Sequence, residues 1–107
     1  MKVLLDENLP HELRHHLAKH DPFTVHYMGW TGVKNGALLS KAAGADFDVM
    51  LTMDNGVPNQ QNVAALPVAL VIISAPSNDM EDLAPLVPKI LKVLSAVQPK
   101  TIAYVKK

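Results

Sequence analysis

A mostly parallel α/β sheet of about five strands, covered by helices on both faces, is the fold class this sequence predicts. The first observation is the run Val68–Ile73, which is apolar, rich in β-branched residues and not alternating. Such a run suits a strand buried on both faces. The second is that four further runs of similar character are spaced along the chain, with helical patterns between them. Strands that alternate with helices imply parallel pairing and covered faces. The third is the balance of 49% apolar to 19% charged residues, which places the 107-residue chain among folded single domains, here residues 1–107.

The elements follow in order. Val3–Leu5 is the first strand. Asn8 is a candidate N-cap for a helix whose apolar positions are Leu9, Leu13 and Leu17, at i, i+4 and i+8. On that helical wheel His16 and His20 fall on the leucine face and His11 and His15 on the solvent face. Phe23–Tyr27 is the second strand. Gly36–Ala45 forms a second helix with Asn35 as its cap, and Val49–Met53 the third strand. Asn59–Ala65 makes one or two helical turns before the Val68–Ile73 strand. Asp79–Val97 is apolar over a wide arc, interrupted by Pro85 and Pro88, so the main helix starts near Pro88. Thr101–Val105 is the last strand.

Composition excludes several functions. The chain has no Cys, hence no disulfide, thiolate metal site or Cys nucleophile. Ten basic and ten acidic residues give zero net charge, so no general basic surface for nucleic acid is written into the bulk charge. The opening apolar stretch ends at Asp6, too short for a signal peptide or a membrane span, and the expected compartment is the cytoplasm.

In a parallel sheet the carboxyl ends of the strands open on one edge, where ligands bind. Strand one ends in Asp6-Glu7-Asn8 and strand three in Thr52-Met53-Asp54-Asn55. Two strands therefore each deliver an Asp to the same rim. Gathered carboxylates repel one another, and a hard divalent ion, Mg²⁺ or Mn²⁺, resolves the cost through oxygen ligands. Such an ion activates water and stabilises in-line displacement at phosphorus. Taken singly, Asp6 also reads as a helix cap and Asp54 as a turn residue. Asp46 and Asp48 precede strand three, at the other edge.

The opening Lys2–Pro10 (KVLLDENLP), the Leu51–Asn55 segment (LTMDN), the Gly29–Gly36 stretch (GWTGVKNG) and Gln60-Gln61-Asn62 together resemble small prokaryotic PIN-like proteins. The resemblance covers nearly the whole chain. It implies a three-layer α/β/α PIN-like fold, a metal-dependent endoribonuclease and a toxin neutralised by a small cognate antitoxin protein. It also implies metal-site and catalytic roles for Asp6 and Asp54, with Thr52 a polar neighbour. PIN nucleases usually bring another acid at the start of the helix after strand two. Here that place reads Lys34-Asn35-Gly36-Ala37, where Asn35 offers a neutral oxygen. Glu7 supplies a third carboxylate only if the first strand has already ended before it, because neighbours on a strand face opposite ways. Asn55, Gln60 and Gln61 are placed to line the cleft, and Trp30 reads either as a base-stacking ring or as a packing anchor.

A second layout fits the same residues. A response-regulator receiver domain needs an acidic pair after strand one (Asp6, Glu7) and an Asp to phosphorylate after strand three (Asp54). It also needs a hydroxyl after strand four (Ser74) and a Lys after strand five (Lys106). Against it, the sequence stops at Lys107 and leaves no fifth helix. A third reading keeps the PIN-like scaffold as a non-catalytic RNA- or protein-binding module. His11 and His15, at zinc-pair spacing, lack a third ligand, and with Arg14 and Lys19 they read instead as a solvated face able to meet phosphate.

Overall fold

The computed structural model describes residues 1–56 and 66–107, with Asn35 described by its backbone alone. Five strands form one parallel sheet in the order β2-β1-β3-β4-β5. They are β1 (Lys2–Leu5), β2 (Asp21–Thr24), β3 (Val49–Thr52), β4 (Ala69–Ser74) and β5 (Ile102–Lys106). A 3-10 helix, His11–Leu17, links β1 to β2, and α1 (Asn35–Gly44) links β2 to β3. After β4 come α2 (Met80–Leu83), a 3-10 turn (Ala84–Leu86) and α3 (Val87–Ala96). This is the parallel α/β architecture the apolar runs predict.

The two-residue period of a strand divides the core into two halves. Val3, Leu5, Val49, Leu51, Val71 and Ile73 face one way, against Leu9, Leu13, Leu17, Leu83, Ile90 and Leu94. Leu4, Met50, Leu70 and Ile72 face the other way, against Leu38, Leu39 and Ala42 of α1. Both faces are thus covered, in three layers. The central strands β3 and β4 are buried throughout except for Ser74, which is why they carry no alternating polar residue. Lys2 closes the far edge: its ammonium lies 4.5 Å from the Phe47 ring centroid and bonds the Ala45 carbonyl.

Several elements differ from their sequence reading. Leu9, Leu13 and Leu17 are buried as their spacing predicts, yet the segment is 3-10 and starts at His11 behind an uncapped Pro10. The return path explains the form. A four-residue strand spans about 13 Å, and seven 3-10 residues rise about 14 Å where an α-helix would rise about 10 Å. His16 is exposed, because the leucines fill the sheet face and an imidazole there would lose its water; His20 is half-buried, with its Nδ1 buried and without a hydrogen-bond partner among the described residues. β2 ends at Thr24; Val25–Tyr27 turns away instead, with the Tyr27 N–H donating to Thr24 Oγ1 at 3.0 Å. The predicted break at Pro85 and Pro88 is present as the 3-10 turn between α2 and α3. The predicted Asn59–Ala65 turns lie outside the described residues. Asp46, at φ 65°, makes the left-handed reversal from α1 into β3, and the Lys2 N–H donates to Asp48 Oδ2. Both acids therefore serve the edge opposite Asp6.

The packing sets a contrast within α3. Ile90 is fully buried and Lys92 exposed. Ile90→Ala should cost about 2–5 kcal/mol, and Lys92→Ala no more than about 0.5 kcal/mol, read from urea midpoints at equal slope.

Candidate functional site

The parallel register builds the site. Val3 lies beside Val49, Leu4 beside Met50 and Leu5 beside Leu51. One residue further, Asp6 and Thr52 are neighbours on the face that carries Leu4 and Met50. The Asp6 N–H donates to the Leu51 carbonyl at 2.9 Å, so the ladder continues past the end of β1. The Thr52 hydroxyl donates to Asp6 Oδ2 at 2.8 Å. The Glu7 N–H donates to Asp6 Oδ1, also at 2.8 Å.

Thr52 Oγ1 accepts in turn from Asn8 Nδ2 at 3.2 Å and from the Asp54 N–H at 3.1 Å. A hydroxyl has one donor and two lone pairs, so this one is fully engaged. Asn8 Oδ1 accepts from the Met53 N–H at 3.3 Å. Asn8 is thus a clamp across the ends of β1 and β3, not the helix cap its position suggests. Its carbonyl also accepts from Asn78 Nδ2 at 3.1 Å, which ties the loop after β4 to the same place. Asn8 and Asn78 are the contributors that sequence reasoning missed. For Asn8 the signal was present, since it lies two residues beyond Asp6 just as Asp54 lies two beyond Thr52.

Asp6 is only 6% exposed. Burial raises its carboxyl above the ordinary range, because the charged form loses hydration. The hydrogen bonds from Thr52 and from the Glu7 N–H pull it down, and the negative charges of Glu7 and Asp54 push it up; the net direction is up.

Asp54 closes a turn of its own, its Oδ1 accepting from the Gly56 N–H at 2.8 Å. Asn55 is an exposed turn residue beside it. Glu7 lies beyond the end of β1, so the strand's alternation no longer dictates where it points. Its Oε2 accepts from the Gly32 N–H at 3.3 Å and holds the loop after β2. Gly32 is at φ +84°, a conformation that suits glycine.

Trp30 is half-buried with its ring 6.0 Å from Phe47, edge to face, and it packs against the α1 half of the core. It is therefore a packing anchor. The Asn35 backbone opens α1 at the carboxyl edge; its side chain, Gln60 and Gln61 lie outside the described residues. Among the described residues no three His, Cys, Asp or Glu side chains group as a metal centre. The acids whose charges are felt at Asp6 are Glu7 and Asp54.

The site lies where doubly wound sheets bind ligands. In the order 2-1-3-4-5 the connections after β1 and β3 leave in opposite directions along the sheet, and a crevice opens between the two strand ends. Asp6 and Thr52 occupy that position.

The raised carboxyl of Asp6 has a consequence for stability. A carboxyl that holds its proton more tightly folded than unfolded stabilises the fold below the ordinary carboxylate range. That contribution is lost as the pH rises through its folded value. In metal-free buffer, the stability of wild type minus that of Asp6→Asn should fall as pH rises from about 4. Denaturant melts of both proteins across that range check the sign. Thr52→Val, which strips the hydroxyl from three partners, should destabilise by about 1–3 kcal/mol.

Compared with protein-family models, with curated proteins and with solved structures, the chain matches none, and the geometry of Asp6, Thr52 and Asp54 carries the functional reading.

Proposed function

We propose that the protein is a metal-dependent endoribonuclease of PIN-like type, acting in the cytoplasm as the toxin of a toxin–antitoxin pair. The observation that carries this reading is a buried, doubly hydrogen-bonded Asp6 at the β1/β3 crevice with the Asp54 charge in reach. Its hydrogen bonds offset only part of the cost of that arrangement, which places repelling carboxylates where one of them has lost water. Its substrate would be RNA and its inhibitor a small cognate antitoxin covering the acidic edge. A homodimer is compatible with this reading. Among the described residues no helix is long and apolar enough to cross a membrane.

The donor set fits Mg²⁺ or Mn²⁺. These hard ions take oxygen ligands, and Mg²⁺ commonly binds through one or two carboxylates, with waters and substrate phosphates completing the shell. Asp6 and Asp54 would hold the ion, and Glu7 would add charge at its rim. Each oxygen of Asp6 accepts one protein hydrogen bond and keeps further lone-pair capacity. A bound ion would supply the positive charge that makes water a nucleophile at neutral pH and offsets charge developing on phosphate. Thr52 and the Glu7 N–H orient Asp6, and Asn8 keeps β1 and β3 in step beneath it. Attack of water on phosphorus forms one P–O bond and breaks the bond to the leaving oxygen on the opposite side.

The strand order favours one other reading, because 2-1-3-4-5 is also the receiver order. Phosphorylation of Asp54 by acetyl phosphate, retained in Asp6→Asn, would replace the nuclease reading with that one. Binding of RNA or antitoxin with no cleavage under any metal would favour the non-catalytic module.

Cleavage of single-stranded RNA by purified protein should require Mg²⁺ or Mn²⁺ and stop in excess EDTA. Asp54→Asn should lower it by at least about a hundredfold. Asn35→Asp, which restores an acid at the start of α1, should raise it.

Melting curves separate a metal ligand from a turn residue. In EDTA, Asp54→Asn should melt above wild type, because it removes a repelling charge while an amide oxygen keeps the Gly56 contact. Mn²⁺ should reverse the order, with wild type gaining about 2.7 kcal/mol at a hundredfold excess over its dissociation constant. A wild type more stable in EDTA and unmoved by Mn²⁺ would sink the metal site.

A further inference from the structure

A concavity of about 360 Å³ lies beside this site and takes no part in it. Its walls come from the 3-10 helix (His11, Arg14) and from β2 with the turn that follows it (Phe23, His26, Tyr27). His11 and His26 belong to the segments that leave the carboxyl ends of β1 and β2, adjacent strands about 4.8 Å apart. Thr24, also in its lining, pairs with Leu5, the residue before Asp6.

Its lining is aromatic and cationic. Tyr27 is 74% exposed, although the whole chain has only five aromatic residues to build a core. Its ring is tilted against Phe23 at 5.7 Å. The His11 and His26 rings lie 5.5 Å apart and are inclined by 31°. Arg14 spends one N–H on the His11 carbonyl at 3.3 Å. No carboxylate pairs with its guanidinium among the described residues, which leaves forked donors at the rim. Flat rings beside a guanidinium that keeps donors beyond its one bond match a flat base joined to a phosphate. The volume, at the small end of ligand pockets, suits one such unit.

We propose that this concavity seats a nucleotide, its base against Tyr27 and the histidine pair and its phosphate on Arg14. The nucleotide is either free or one unit of a single strand that continues to Asp6; the strand form rests on the ribonuclease reading.

The experiment titrates the full chain in EDTA, so that cleavage consumes nothing. A fluorescently labelled single-stranded oligoribonucleotide is followed by anisotropy, and adenosine and uridine monophosphates by histidine ring NMR shifts. Arg14→Gln and Tyr27→Ala should each weaken binding roughly tenfold, while Tyr27→Phe and the distant Lys92→Gln bind as wild type. Arg14→Gln should also lower the salt slope by about one, and Tyr27→Ala should leave it unchanged. Both lost side chains are exposed, and circular dichroism checks that the variants fold.

Oligonucleotide binding with this pattern, in a protein that cleaves no RNA, upholds the concavity and removes the nuclease. Monophosphate binding that shifts His11 and His26, with no oligonucleotide binding, upholds the free-nucleotide form. Metal-dependent cleavage with unweakened binding in both variants overturns the concavity and leaves the nuclease standing. Failure of both probes to bind, or a dimer that both variants abolish without nucleotide binding, also overturns it.

Discussion

The hydrogen bond from the Thr52 hydroxyl to Asp6 is the contact on which the site depends. A carboxylate with almost no exposed surface has given up its hydration, and the protein has to replace water's hydrogen bonds. Thr52 does so from the neighbouring strand and the Glu7 N–H from the chain itself. Burial outweighs those two bonds, and with the repulsion from Glu7 and Asp54 the carboxyl stands above its ordinary range. A carboxyl held in this way keeps its proton to a higher pH than an exposed one.

That hydrogen bond exists only because β1 and β3 are adjacent, parallel and in one register. A slip of one residue would turn Thr52 to the opposite face. The register is held from below by the packing of Val3, Leu5, Val49 and Leu51 on one face and Leu4 and Met50 on the other. It is held from above by Asn8, which bonds both the Thr52 hydroxyl and the Met53 N–H. Apolar burial supplies most of the stabilisation, and the polar clamp sets where the strands stop. The loops attach to the same frame: Glu7 draws in Gly32, and Asn78 bonds the Asn8 carbonyl.

Zero net charge conceals a local separation of charge. The acids whose charges act on Asp6 are Glu7 and Asp54, whereas Arg14 is the charged residue of the neighbouring concavity. Asp46 and Asp48 are spent at the opposite edge, on a chain reversal and on the Lys2 N–H. Bulk composition excludes a basic coat but says nothing about such neighbourhoods, because their fields fall away within about 10 Å at moderate salt.

The sequence by itself determined the fold class. Unalternating runs such as Val68–Ile73 are stable only with both faces covered, and that requirement yields a parallel sheet between helices before any contact is known. It also placed Asp6 and Asp54 on one edge, since both follow parallel strands, and it marked the break at Pro85 and Pro88, which is a local property of proline. Tertiary structure decided the rest. Which strand lies beside β1 is a question of packing, and only that adjacency pairs Asp6 with Thr52 and converts Asn8 from cap to clamp. The 3-10 form of His11–Leu17 was illegible because its leucine spacing is that of an α-helix, while the length of the return path along β1 selects the longer rise. His16 reads as a core residue on a helical wheel, but the leucines already fill that face and an imidazole keeps its water outside. Periodicity records which residues prefer burial; neighbours in three dimensions decide which polar groups find partners there.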